Sequence, residues 1–79
     1  MNNLPQKIRR LRQLQNLSQK DMANRLCISP RAYGKIEAGE IGLTVERFGQ
    51  IAEALGCPPD AILIHSPEKV YMRFLYKGE

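Results

Sequence analysis

The stretch from Ser18 to Glu37, SQKDMANRLCISPRAYGKIE, constrains this chain more than any other. It reads as two short helices joined by a tight turn. Ser18 offers a hydroxyl to the free backbone N–H groups of a helix start, and Asp21, three residues on, adds negative charge in the first turn. Met22, Ala23 and Leu26 then fall at i, i+1 and i+4, which puts them on one face while Lys20, Asn24 and Arg25 point elsewhere. The pattern breaks at Cys27-Ile28 and restarts at Ser29-Pro30. Ser29 suits an N-cap, and Pro30 suits the first helical position, where a missing N–H costs nothing. A residue before proline is also pushed toward extended backbone, as an N-cap requires. The second helix can run to Ala38, with Gly39 suited to a left-handed C-terminal cap.

Two helices of about two turns each are marginal alone, so the flanking chain must cover their apolar faces. The outer face of the second helix carries Arg31 and Lys35, with small Ala32 and Gly34 between them. That combination can lie close against a polyanion, which makes double-stranded DNA the leading partner.

Charge distribution supports the same partner. Up to Gly39 there are eight Lys and Arg against two acids, and from Glu40 onward four against six. The basic surface therefore accompanies the helix pair, the asymmetry expected of a half that faces phosphate, although a merely solvated basic face would look the same. At 79 residues the chain has room for one small domain with a thin core. Cys27 and Cys57 sit singly among apolar residues, so neither a disulfide framework nor a zinc site is expected, and no cofactor is implied. Neither a signal peptide nor a membrane span is recognisable, and a cytoplasmic location is expected by default. His65, the one histidine, has no Cys or carboxylate at ligand spacing and reads as a surface residue.

A first helix is expected from Pro5 to about Asn16, with Ile8, Leu11 and Leu14 or Gln15 at helical spacing. Its Lys7, Arg9, Arg10 and Arg12 cannot all face one place, and Arg12 is the candidate to turn inward. Lys7 is expected to touch phosphate without regard to sequence. Thr44 caps a fourth helix on which Phe48, Ile51, Ala52 and Leu55 repeat at i, i+3, i+4 and i+7. Gly56 ends it, and Pro59 to Leu63 begins a short fifth. Leu26, Tyr33, Ile36, Phe48 and Ile51 would meet in one core.

The run IRRLRQLQNLSQKDMANRLCISPRAYGKIEAGE, continued by IAEALGCPPDAIL, resembles the Cro and lambda-repressor-like (XRE-type) helix-turn-helix family. The likeness rests on Arg12, on Leu17 before Ser18-Gln19, on Ala23 at the crossing, on Ile28-Ser29, and on Ile36-Glu37-x-Gly39. It implies an all-α, five-helix fold spanning residues 1–65, with the third helix in the major groove. It also implies that Pro30, Arg31 and Lys35 face base edges, that Gln19 bonds phosphate, and that Arg12 and Glu37 form an ion pair. The expected DNA-facing set is therefore Gln19, Ser29, Pro30, Arg31, Ala32, Gly34 and Lys35, with Arg10 from the first helix. Three residues depart from the family. Pro30 cannot make the bidentate bond to adenine of the glutamine common there. Cys27 replaces a usual glycine, at a cost of about 1 kcal/mol or more if that residue is left-handed. Gly34 in mid-helix costs ~1 kcal/mol against alanine and suggests a close approach.

Residues 66–79 lie beyond the resemblance. Val70, Met72, Phe74 and Tyr76 alternate with Tyr71, Arg73, Leu75 and Lys77, and the β-branched and aromatic content favours a strand, with a helical or merely packed tail as the alternative. A strand here would pair with its copy in a second subunit, making those four residues a dimerisation edge. The expected function is a sequence-specific DNA-binding regulator, a repressor acting as a homodimer on an inverted repeat. The alternative is a protein-interaction module, such as an antitoxin or adaptor, with a partner protein on the tail. No acid–base pair, phosphate loop or nucleophile set with usable spacing points to an enzyme.

Overall fold

The computed structural model describes residues 3–78, so Met1, Asn2 and Glu79 lie outside the described residues. The chain forms α1 (Leu4–Leu14), α2 (Gln19–Leu26), α3 (Pro30–Glu37), α4 (Val45–Leu55), α5 (Pro59–Ile64) and α6 (Pro67–Val70). The last continues as a π-helical turn over Tyr71–Leu75. No strand occurs among the described residues, and no helix there is long and apolar enough to cross a membrane.

Start signals act where the residues place them. Ser18, Ser29, Thr44 and Ser66 are extended N-caps whose hydroxyls accept from Asp21, Ala32, Arg47 and Lys69 N–H groups. Helix ends are closed by side chains reaching across the fold. Gln15 Nε2 donates to the Leu55 carbonyl at 3.0 Å and Arg25 Nη1 to that of Ala54 at 2.8 Å, both at the end of α4. Lys7 Nζ donates to the Ile62, Leu63 and His65 carbonyls at 3.1, 3.3 and 3.3 Å. Lys7 therefore caps α5 with its ammonium at the negative end of that helix, a correction to the expectation that it faces phosphate.

The core is one cluster in which Ile8, Leu11, Met22, Ala23, Tyr33, Ile51, Ala52, Ile62 and Val70 have no exposed surface. Ile36 and Phe48 join it, while Leu26 is half-buried at its margin.

The tail corrects the strand expectation. Ser66-Pro67-Glu68 repeats the serine–proline helix start seen at Ser29-Pro30, with an acid added in the first turn. From there Val70, Tyr71 and Leu75 turn inward together, because the wider π turn, closed by Tyr76 N–H to the Tyr71 carbonyl at 2.6 Å, brings residues five apart into register. Leu75 packs beside Gly56. Arg10 Nε meets Glu68 Oε2 at 2.9 Å, tying α6 to α1. Val70, expected at a dimer edge, is thus a core residue of its own chain, whereas Met72, Phe74 and Tyr76 are exposed.

Val70→Ala should lower unfolding free energy by about 2 kcal/mol, the transfer loss of two methyl groups plus a cavity. Urea titration checks this. An unchanged midpoint would mean that the segment is not part of the core.

Candidate nucleic-acid interface

α2 and α3 are joined by a turn that depends on one left-handed residue. Cys27 has φ +60°, and the Ile28 N–H reaches back to the Ala23 carbonyl at 3.0 Å, closing the C-terminus of α2. The chain then leaves through extended Ser29 into Pro30. At the other end of α2 the Ser18 N–H donates to Asp21 Oδ2 at 2.8 Å, and the Asp21 N–H donates to Ser18 Oγ at 2.9 Å. Bonding from the Ser18 backbone, then from its side chain, holds the Asp21 carboxyl below its ordinary range.

The position of α3 is fixed by Glu37. Arg12 Nε lies 2.6 Å from Glu37 Oε2 and Arg12 Nη2 3.2 Å from Oε1, in a bidentate pair. Tyr33 Oη donates to Oε2 at 2.5 Å and Gln19 Nε2 to Oε1 at 3.1 Å. Arg12 also donates to the Leu17 carbonyl at 2.7 Å, so the guanidinium spans the junction of α1, α2 and α3. Both charges are buried, and every buried side-chain nitrogen and oxygen among the described residues has a partner. Burial by itself would raise the Glu37 carboxyl, but the bonds from Arg12, Tyr33 and Gln19 outweigh it and leave the pKa below the ordinary 4.5. The Glu37 bond raises the Arg12 guanidinium further, and burial, then the same carboxylate, raises the Tyr33 phenol.

With α3 locked from behind, its front is free. Pro30, Arg31 and Lys35 are exposed, and Ala32 and Gly34 are half-buried beside them. Neither Arg31 nor Lys35 has a side-chain hydrogen bond within the described residues. Ser29 spends an acceptor lone pair on the Ala32 N–H at 3.0 Å. Gln19 lies over Gly34, where an added Cβ would sit 3.4 Å from Gln19 Oε1, so the neighbour of this glycine within the fold is a side chain of α2. Since a carboxylate only accepts, Gln19 must turn its NH₂ toward Glu37, leaving its second N–H to point elsewhere.

Seven of the eight expected DNA-facing residues thus gather on α3 and the start of α2. Arg10 does not join them, because Glu68 holds it against α6. Tyr33, expected in the core, is also a ligand of Glu37 through its hydroxyl, and the spacing of four between them on one helix is the sequence signal for that contact. The other free thiol, Cys57, is buried and pushed up to about 11 by that burial, while Cys27 is exposed.

This arrangement of two capped helices, a left-handed turn and a bare basic outer face defines the helix-turn-helix class of DNA-binding domains. The helix-turn-helix family model matches residues 8–62, and no curated protein or solved structure gives a match. The chain belongs to the Cro and lambda-repressor-like, XRE-type family of DNA-binding regulators.

Glu37→Gln should cost about 3 kcal/mol, because it strands the buried Arg12 charge. The depressed Glu37 pKa stabilises the fold above the ordinary value of 4.5, and that contribution is lost as pH falls through the lower folded-state value. Wild-type stability should therefore drop with acid below about pH 4.5, and the Gln variant should drop less steeply; urea midpoints across that range measure both.

Proposed function

We propose that this protein is a sequence-specific transcriptional repressor that binds an inverted repeat as a homodimer, with α3 in the major groove. The observation that carries this reading is the outer face of α3, where Arg31 and Lys35 stand unpaired on a helix whose opposite side is held by Arg12 and Glu37. Arg31 is suited to the guanine O6 and N7 edge, and Lys35, four residues on, to a neighbouring guanine or phosphate. Pro30 contributes apolar contact, as against a thymine methyl. Gln19 offers its second amide N–H to phosphate, and the N-terminal ends of α2 and α3 add the positive ends of their dipoles.

A single module of this size reads few bases, and a two-fold pair doubles the contact across half-sites about 34 Å apart. Exposed Leu63, Ile64, Met72, Phe74 and Tyr76 supply apolar surface for such pairing. The same surface favours a second reading, an antitoxin or adaptor that binds a different protein.

Selection from a random DNA pool at ~150 mM salt should return one inverted repeat. Failure to enrich any motif, together with co-purification of a distinct protein, would support the adaptor instead. On the selected site, Arg31→Ala should cost ~1–3 kcal/mol and relax preference at one base pair, with little loss on scrambled DNA. Equal losses on both would remove Arg31 from base reading.

A further inference from the structure

α1 carries four basic residues, and three have partners within the fold, that of Arg10 at the surface. Lys7 caps α5, Arg10 pairs with Glu68 of α6, and Arg12 pairs with Glu37 of α3. The fourth, Arg9, has no side-chain hydrogen bond or ion pair among the described residues and is exposed. Its direction follows from helical spacing. Lys7 and Arg10, three apart, point to α5 and α6; Arg9 and Arg12, also three apart, lie on another side of the helix, and Arg12 shows that this side faces α3. One turn before Arg12, Arg9 lines a shallow groove with Pro5 and Gln6 of α1 and with Glu37, Ala38 and Gly39 at the end of α3.

That end continues the outer face of the reading helix. Arg31, Lys35 and Ala38 fall at i, i+4 and i+7 and are all exposed. Ala38 presents only a methyl group, and Gly39, at φ +78°, turns the chain away, so the groove that Arg9 lines opens beside the last turn of α3. Glu37, the acid bordering the groove, already accepts four hydrogen bonds from Arg12, Tyr33 and Gln19 and has little capacity left for Arg9.

We infer that Arg9, rather than Arg10 or Lys7, is the point at which α1 grips DNA, binding a backbone phosphate at the rim of the groove beside the C-terminal end of α3. The inference rests on the DNA-binding reading above. A phosphate contact carries no base information, so its effect is the same on every sequence, and it appears as one released counterion.

The test is the salt dependence of binding to a scrambled duplex and to the best selected duplex, for wild type, Arg9→Ala, Arg9→Lys and Arg10→Ala. Arg9→Ala should lower affinity equally on both duplexes and reduce the slope of log K against log salt by about one. The ratio of wild-type to Arg9→Ala affinity should then shrink about 3.5-fold between 50 and 200 mM salt. Arg9→Lys should keep the wild-type slope, Arg10→Ala should leave it unchanged, and Arg9→Ala should melt with wild type because it removes no internal partner. An unchanged slope for Arg9→Ala, or a reduced slope for Arg10→Ala alone, overturns the assignment. Absence of salt-dependent DNA binding by wild type would instead bring down the DNA reading and this inference together.

Discussion

The contact on which the rest of the structure depends is the Glu37 carboxylate. Its two oxygens accept from Arg12 twice, from Tyr33 and from Gln19, so one anion ties together α1, α2 and α3. A carboxylate has roughly four lone-pair sites, and all are used. The arrangement is a poor source of net stability, because two buried charges give up most of what they gain to desolvation. What it supplies is position. Buried Tyr33 and Ile36 already turn one face of α3 inward, and the carboxylate adds directional bonds to α1 and α2 on that same face. With Tyr33 and Glu37 drawn inward at a spacing of four, Arg31 and Lys35 are turned to the surface.

α1 does for the whole domain what Glu37 does for the helix pair. Its apolar residues Ile8 and Leu11 enter the core, and its basic residues reach three different helices. The positive charge of the N-terminal half is therefore a mixture. Lys7, Arg10, Arg12 and Arg25 are bonded within the fold, while Arg9, Lys20, Arg31 and Lys35 have no such bond among the described residues. The four unbonded cations lie on α1, the start of α2 and α3, around the helix pair. Charge counted along the chain overstates the surface available to phosphate, since Lys7 and Arg12 are committed to carbonyls and a carboxylate of the fold, and Arg10 and Arg25 each spend one nitrogen on a neighbouring helix.

This explains what could and could not be read from residues alone. Helix starts at Ser18, Ser29 and Thr44 were legible because capping is local, set by a side chain and backbone three residues away. The pairing of Arg12 with Glu37 was legible only through the family resemblance, since nothing local links residues 25 apart. Which of Lys7, Arg9 and Arg10 stays free depends on what α5 and α6 place beside them, and composition carries no trace of that. The tail left strand and helix open, with the strand favoured, because alternation over a short apolar run cannot distinguish period two from a widened helical turn, and the helical alternative is the one that forms. Its Ser66-Pro67 start was nevertheless the same signal as Ser29-Pro30. The eight-residue alternation from Val70 to Lys77 describes side chains, whereas Ser66-Pro67 fixes backbone.

α2 is bracketed by two non-glycine residues in the left-handed region, Asn16 and Cys27, both at φ +60°. Asparagine visits that region readily, whereas cysteine bears the Cβ penalty of about 1 kcal/mol or more. Such a cost persists only where surrounding contacts over-determine the backbone, and here they do. Ala23 has no exposed surface where α2 crosses α3, its carbonyl takes the Ile28 N–H, and Ser29 must be extended to cap α3. Between the end of one helix and the cap of the next there is room for one reversal, and it falls at Cys27. The thiol is exposed and lies outside the packed core, so glycine at this position would relieve strain without removing core packing. The strain is thus a consequence of bringing two short helices close enough for Gln19 to reach Glu37, the same closeness that holds the basic face of α3 outward.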